Sequence, residues 1–198
     1  MWALVLGTAG FLLYYLYDIN SIIWKNSVMQ KFFAGGSVCV VVATVWVLIE
    51  SLRGPIFNSV VCLVFGAGSL VFLGLLIYTL FFALPFDETY LEESRERMAY
   101  TKGVYSLCRH PGVLWFSGAY LCFWGMTGDW SRGIFFLSMI ALNCIYIIIQ
   151  DIWIFPETFT NYEEYKRITP FLLPNRRSIK ACFSQNKESR KRPKVDKV

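Results

Sequence analysis

Five segments of the chain run without a charged side chain: residues 1–17, 32–49, 54–86, 111–128 and 133–150. A helix rises about 1.5 Å per residue against a hydrocarbon core about 30 Å thick, so each segment is near or above the length that crosses a bilayer. The third is long for one span and short for two with a turn. It predicts a single long or tilted helix bracketed by Pro55 and Pro85. The expected fold is therefore all-α and membrane-integral, with about five transmembrane helices. Between the third and fourth segments, residues 87–102 mix both charge signs with Tyr90, Leu91 and Met98. That pattern suits a helix lying at the membrane interface, or equally a solvated connecting helix. Residues 175–198 lack apolar periodicity, which predicts a basic disordered tail after a single membrane-embedded domain spanning 1–174.

Composition narrows the class. Of 198 residues, 56% are hydrophobic and 17% charged, too few polar side chains to cover a soluble globule of this size. The net charge of +5 is unevenly placed: 175–198 hold nine Lys or Arg against Glu188 and Asp196, a net +7, so the remainder sums to −2. Basic charge gathered in one terminal tail argues against nucleic acid as the partner and for anionic headgroups. With five spans and the N-terminus outside, the inner segments hold Lys25, Lys31, Arg95, Arg97, Lys102 and Arg109 and the outer ones only Arg53 and Arg132. The expectation is N-out and C-cytoplasmic, in a cell membrane or endoplasmic reticulum. The apolar start has no basic residue before it and no small-residue cleavage site, so it reads as the first span rather than a removable signal. Six cysteines without a C-x-x-C pair, beside a lone histidine, indicate neither a zinc site nor a disulfide framework.

Chemistry concentrates in two strings. The first, GVYSLCRHP over 103–111, ends where the fourth helix should begin. Pro111 suits a first helical turn, whose free N–H groups favour a carboxylate or phosphate. Arg109 adds a cationic fork there, and His110 can donate or accept near neutral pH. Snorkelling of Arg109 and His110 to headgroups is the plain alternative. The second string follows the fifth span, with Gln150 and Asp151 and then Phe159, Tyr162, Tyr165, Pro170 and Pro174. Asp151 is costly in hydrocarbon unless paired or hydrated, which makes it a candidate site residue. Tyr162 and Tyr165 fall on one face of a short helix over the membrane surface, a spacing that packing alone also produces.

Together the strings resemble the membrane-bound methyltransferases that include isoprenylcysteine carboxyl methyltransferases and phospholipid N-methyltransferases. The pattern G-x-Y-x-x-x-R-H-P is met at Gly103, Tyr105, Arg109, His110 and Pro111, and Y-x-x-Y followed by proline at Tyr162, Tyr165 and Pro170. The resemblance covers about residues 54–174. It implies S-adenosylmethionine as cofactor and methyl transfer to a lipidic or prenylated, membrane-delivered carboxylate, amine or thiol. Arg109 and His110 would be the catalytic pair. Gly103, Tyr105, Arg109, His110, Pro111, Asp151, Tyr162 and Tyr165 would bind the cofactor, with Arg109 on its carboxylate and Asp151 on its ammonium. The chain departs from the family pattern at Val113 and Trp115, at Gln150 in place of a glutamate, and at Phe159-Thr160 in place of an aromatic-glycine pair. Two other readings stand beside it: a non-catalytic membrane protein that keeps the fold and a ligand pocket, and a related membrane reductase using a nicotinamide cofactor.

Overall fold

The computed structural model of the chain describes residues 1–53, 59–83 and 97–191, and all regular structure among them is helical. Five long helices are α1 (Trp2–Ile19), α2 (Phe32–Leu52), α3 (Ser59–Ile77), α4 (Pro111–Thr127) and α5 (Trp130–Ile149). Three shorter ones follow: α6 (Phe155–Thr158), α7 (Tyr162–Ile168) and α8 (Arg176–Lys191). Single π-helical turns extend α1 through Asn20–Trp24, α3 through Tyr78–Phe82, and join α5 to α6 through Gln150–Ile154. Four of the resulting continuous helices are long and apolar enough to cross a membrane: Trp2–Trp24, Met29–Ser51, Val60–Phe82 and Trp130–Thr158. Helix α4, among the described residues, is 17 residues long. The protein is thus an all-helical membrane protein with at least four helices of spanning character. Pro55 and Pro85, expected to bracket α3, lie outside the described residues.

The chain divides into two compact units, the first comprising Met1–Leu76 and Trp115–Thr158 and the second Ile77–Leu114 and Phe159–Val198. In the first unit, α1 and α2 form an antiparallel hairpin in which Trp2 meets Trp46, Gly10 meets Gly36 and Tyr17 meets Phe33. The two glycines let the backbones touch: a Cβ on Gly10 would stand 2.8 Å from the Gly36 carbonyl oxygen, and one on Gly36 2.6 Å from that of Gly10. Small residues at such a crossing replace the hydrophobic drive that lipid does not supply. Helix α5 runs parallel to α1, with Met139 on Gly7 and Tyr146 beside Phe11 and Tyr15. Helix α4 runs antiparallel to both α3 and α5, seating Gly118 on Phe72, Gly125 on Phe65 and Trp124 on Gly133. The centre is aromatic: Phe116 stacks on Tyr120 at 4.0 Å, Phe136 is fully buried beside Tyr120, and the Tyr120 hydroxyl shares a 2.6 Å hydrogen bond with Thr44. The outward faces are apolar, with Leu63 and Leu70 exposed by 73% and 71%. Bare leucines at that exposure are what lipid solvates.

The turn from α4 to α5 is short because Gly128 takes a left-handed φ of 62° and Asp129 caps the next helix, accepting from the Ser131 N–H at 2.9 Å. The Ser131 hydroxyl, which also donates to it, and then Arg132 hold the Asp129 carboxyl below the usual carboxylate range.

Two expectations are corrected in the second unit. The tail is helical over Arg176–Lys191 rather than disordered throughout. Asn175 caps it, its side-chain oxygen accepting from the Ser178 N–H at 2.9 Å while the Ser178 hydroxyl accepts from the Asn175 N–H at 3.0 Å. One helical turn apart, Ser178 and Cys182 then form a buried stripe. Small and weakly polar, that pair escapes a search for apolar periodicity. Residues 97–102, expected at the end of an interfacial helix, are not helical. They lie against 160–161, where the Thr160 N–H donates to the Arg97 carbonyl and the Asn161 side chain bridges both backbone groups of Ala99 at 2.6 and 3.2 Å. The remainder of the 87–102 segment lies outside the described residues.

Candidate functional site

Seven of the eight sequence-predicted site residues belong to the second unit, where the two strings fold as one piece. Gly103 takes a left-handed φ of 60°, which lets the extended segment turn into the 3-10 helix Gly103–Ser106. That turn carries Tyr105, whose hydroxyl donates to the Thr79 carbonyl at 3.1 Å. The Tyr105 carbonyl in turn accepts from the Tyr165 hydroxyl at 2.6 Å. Beyond the turn, the backbone of the first string pairs with that of the second: the Arg109 N–H donates to the Pro170 carbonyl at 2.9 Å and the His110 N–H to that of Phe171 at 3.3 Å. Pro111 is fully buried as the first residue of α4, as its ring geometry favours.

Arg109 has a definite structural task. Its Nη1 donates to the Thr169 carbonyl at 2.7 Å and to that of Lys166 at 3.3 Å, and its guanidinium carbon lies 5.6 Å from the centre of the Phe171 ring. Lys166 and Thr169 end α7, so a guanidinium there satisfies last-turn carbonyls and sits at the negative end of the helix dipole. His110 is buried at 7% exposure with its ring edge-on to Phe171, centroids 5.1 Å apart. Both tyrosines of α7 are buried, their rings 5.9 Å apart, and Lys166 Nζ lies 5.5 Å from the centre of the Tyr162 ring. Tyr162 and Tyr165 therefore pack the piece together. Cys108, 1% exposed between these residues, has its thiol pushed up to about 11 by burial, so it is not a nucleophile near neutral pH.

Asp151, the eighth residue, belongs to the first unit, buried at 7% exposure in the π-helical turn after α5. Its neighbour Gln150 donates to Asp18 Oδ2 at 2.8 Å and to the Tyr146 hydroxyl at 2.9 Å. The sequence reading passes over Asp18 because it ends the first apolar segment. The helix in fact continues through it, and its carboxylate is 7% exposed. The amide at 150 now has a reason: a glutamate there would set two carboxylates side by side. An acidic residue within reach of a long apolar run, preceded by three tyrosines, was the signal available.

Among the described residues no group of three or more His, Cys, Asp or Glu could hold a metal ion. At 103–111 the imidazole of His110 and the N–H groups that open α4 are donors of the kind that can meet an anion. No protein-family model matches the chain, and no curated protein or solved structure matches it.

Proposed function

We propose that the protein is an S-adenosylmethionine-dependent membrane methyltransferase acting on a lipidic or membrane-delivered acceptor. The observation that carries the reading is the backbone pairing of Arg109 and His110 with Pro170 and Phe171. The two strings on which the resemblance rests lie some sixty residues apart, and they meet as one folded piece. A methyl group leaving a sulfonium needs little acid–base help when the acceptor is an amine, carboxylate or thiolate, so positioning and exclusion of water supply most of the rate. That chemistry suits a site with one histidine. His110 and the N–H groups opening α4 would hold the cofactor's carboxylate, while Arg109 fixes α7 against them. Asp151 as partner of the ammonium is carried by the resemblance.

We place five crossings in the membrane, N-terminus outside and C-terminus cytoplasmic. The alternating direction of the five long helices, α1, α3 and α5 one way and α2 and α4 the other, supports the five crossings, and the Lys and Arg asymmetry between the inner and outer segments supports the orientation. Cys182 is buried and donates to the Gly103 carbonyl at 3.3 Å, so a thiol-labelling test belongs at an exposed neighbour such as Ser184→Cys. An impermeant reagent should modify that variant only after permeabilisation.

One feature favours the non-catalytic reading: the Nη1 of Arg109 is taken up by carbonyls of its own chain. Titration of the detergent-purified protein with S-adenosylhomocysteine separates the possibilities. Binding together with methyl transfer to a membrane lipid extract is the expected result. Binding without transfer to any extract would favour the non-catalytic protein, and binding of a nicotinamide nucleotide instead would favour a reductase. Asp151→Asn should weaken binding by on the order of ten- to a hundred-fold, the worth of a charge-assisted hydrogen bond, and Arg109→Ala should weaken it by releasing the end of α7 from the 103–111 string. Arg109→Lys should rescue only in part.

A further inference from the structure

Helix α8 is two-sided. Ser178 and Cys182, four residues apart, form its buried face, and Cys182 Sγ donates to the carbonyl of Gly103 at 3.3 Å. At 100° per residue the opposite face passes through Arg176, Lys180 and Phe183, with Ile179 on its flank. Phe183 is 68% exposed and Ile179 40%, so a large aromatic and a β-branched side chain stand out among cations. A helix that was simply solvated would have no use for an exposed phenylalanine in its basic stripe. Basic residues flanking an aromatic on one face, opposite a face already packed, is the arrangement that lies in a headgroup layer. The bilayer is already the solvent of this chain's long helices.

We propose that α8 is a membrane-surface clamp: its Arg176–Lys180–Phe183 face binds anionic lipid headgroups while its Ser178–Cys182 face holds the turn at Gly103–Ser106. The ammonium and guanidinium groups pair with lipid phosphates, and Phe183 enters the apolar boundary beneath them. Because the gripped turn opens the 103–111 string, the clamp fixes that string at headgroup depth. The inference needs only the second unit and holds whether or not the protein transfers methyl groups.

The test is amide hydrogen exchange over 176–184 in the full chain, reconstituted in nanodiscs of phosphatidylcholine alone or with phosphatidylglycerol. Protection should be higher in the anionic discs, and high salt should erase the difference. Lys180→Glu should lower protection in anionic discs by about five-fold or more, the worth of one basic residue at such a surface, and leave zwitterionic discs unchanged. Phe183→Ser should lower it in anionic discs without abolishing the salt dependence. Equal protection in the two lipids with no response to Lys180→Glu would overturn the proposal. Equal gain from a soluble polyanion in zwitterionic discs, or protection that appears only with two copies per disc, would also overturn it.

Discussion

The Tyr165 hydroxyl donates to the backbone carbonyl of Tyr105 at 2.6 Å, tying α7 to the 3-10 turn that opens the first string. Tyr105 passes the tie on through its own hydroxyl to the Thr79 carbonyl at 3.1 Å. Tyr165→Phe keeps the buried ring and removes the donor, which should cost about 1–3 kcal/mol, since a partly buried carbonyl then loses a partner. Tyr105→Phe breaks the longer bond and should cost less. Thermal unfolding in one detergent gives the order directly, and equal midpoints for the two variants would contradict it.

The α1–α2 crossing makes a sharper packing prediction. Gly10→Ala and Gly36→Ala each drive a Cβ into backbone oxygen, which cannot swing aside as a side-chain tip can, so each should destabilise by about 1–3 kcal/mol. Gly74→Ala, where nothing lies within 4 Å of the added carbon, should be neutral or slightly stabilising through helix propensity. Unfolding midpoints of the three variants in the same detergent provide the comparison.

Much of this architecture is legible in the sequence because lipid imposes a simple rule. An uncharged run of spanning length must satisfy its backbone internally, so four of the apolar segments could be placed as long helices from hydropathy, and Pro111 marked where another begins. What escaped were arrangements decided by distant partners. Asp18 reads as the end of a span, yet Gln150, 132 residues away, lets it stay inside one. The pairing of Arg109 with Pro170 has no local signal, since neither stretch alternates as a strand does. The structural work of Arg109 at the end of α7 was equally hidden: an arginine beside a histidine and a helix start reads as a ligand fork, and only the placement of Thr169 shows the other use.

Cys108 provides a pH dependence with a definite sign. Burial raises its thiol from the ordinary 9.0 to about 11, so the folded state prefers the protonated form. The stability this contributes is fully present below about pH 9 and is lost as pH climbs through about 11, where the folded thiol must also ionise. Near neutral pH, iodoacetamide should leave Cys108 unmodified in the folded protein and alkylate it once the chain is unfolded, as peptide mass mapping would show. Modification of Cys108 in the folded state at pH 7 would mean that its surroundings open.

Gln150 and Asp18 give the clearest test of why an amide stands at position 150. Gln150 Nε2 donates to both Asp18 Oδ2 and the Tyr146 hydroxyl, so the amide supplies hydrogens that a carboxylate lacks. Gln150→Glu should therefore destabilise: it removes two donors and places an acid against a buried acid. Asp18→Asn alone should cost less, because the new amide keeps an oxygen for Gln150. Joined with Gln150→Glu, Asp18→Asn should recover much of the loss, since its NH2 can donate to the glutamate. The double-mutant cycle, read by thermal unfolding, should then show a favourable coupling of roughly 0.5–3 kcal/mol for residues in direct contact. Additive effects would mean that the two side chains act independently. In that case the glutamine at 150 would need an explanation other than Asp18.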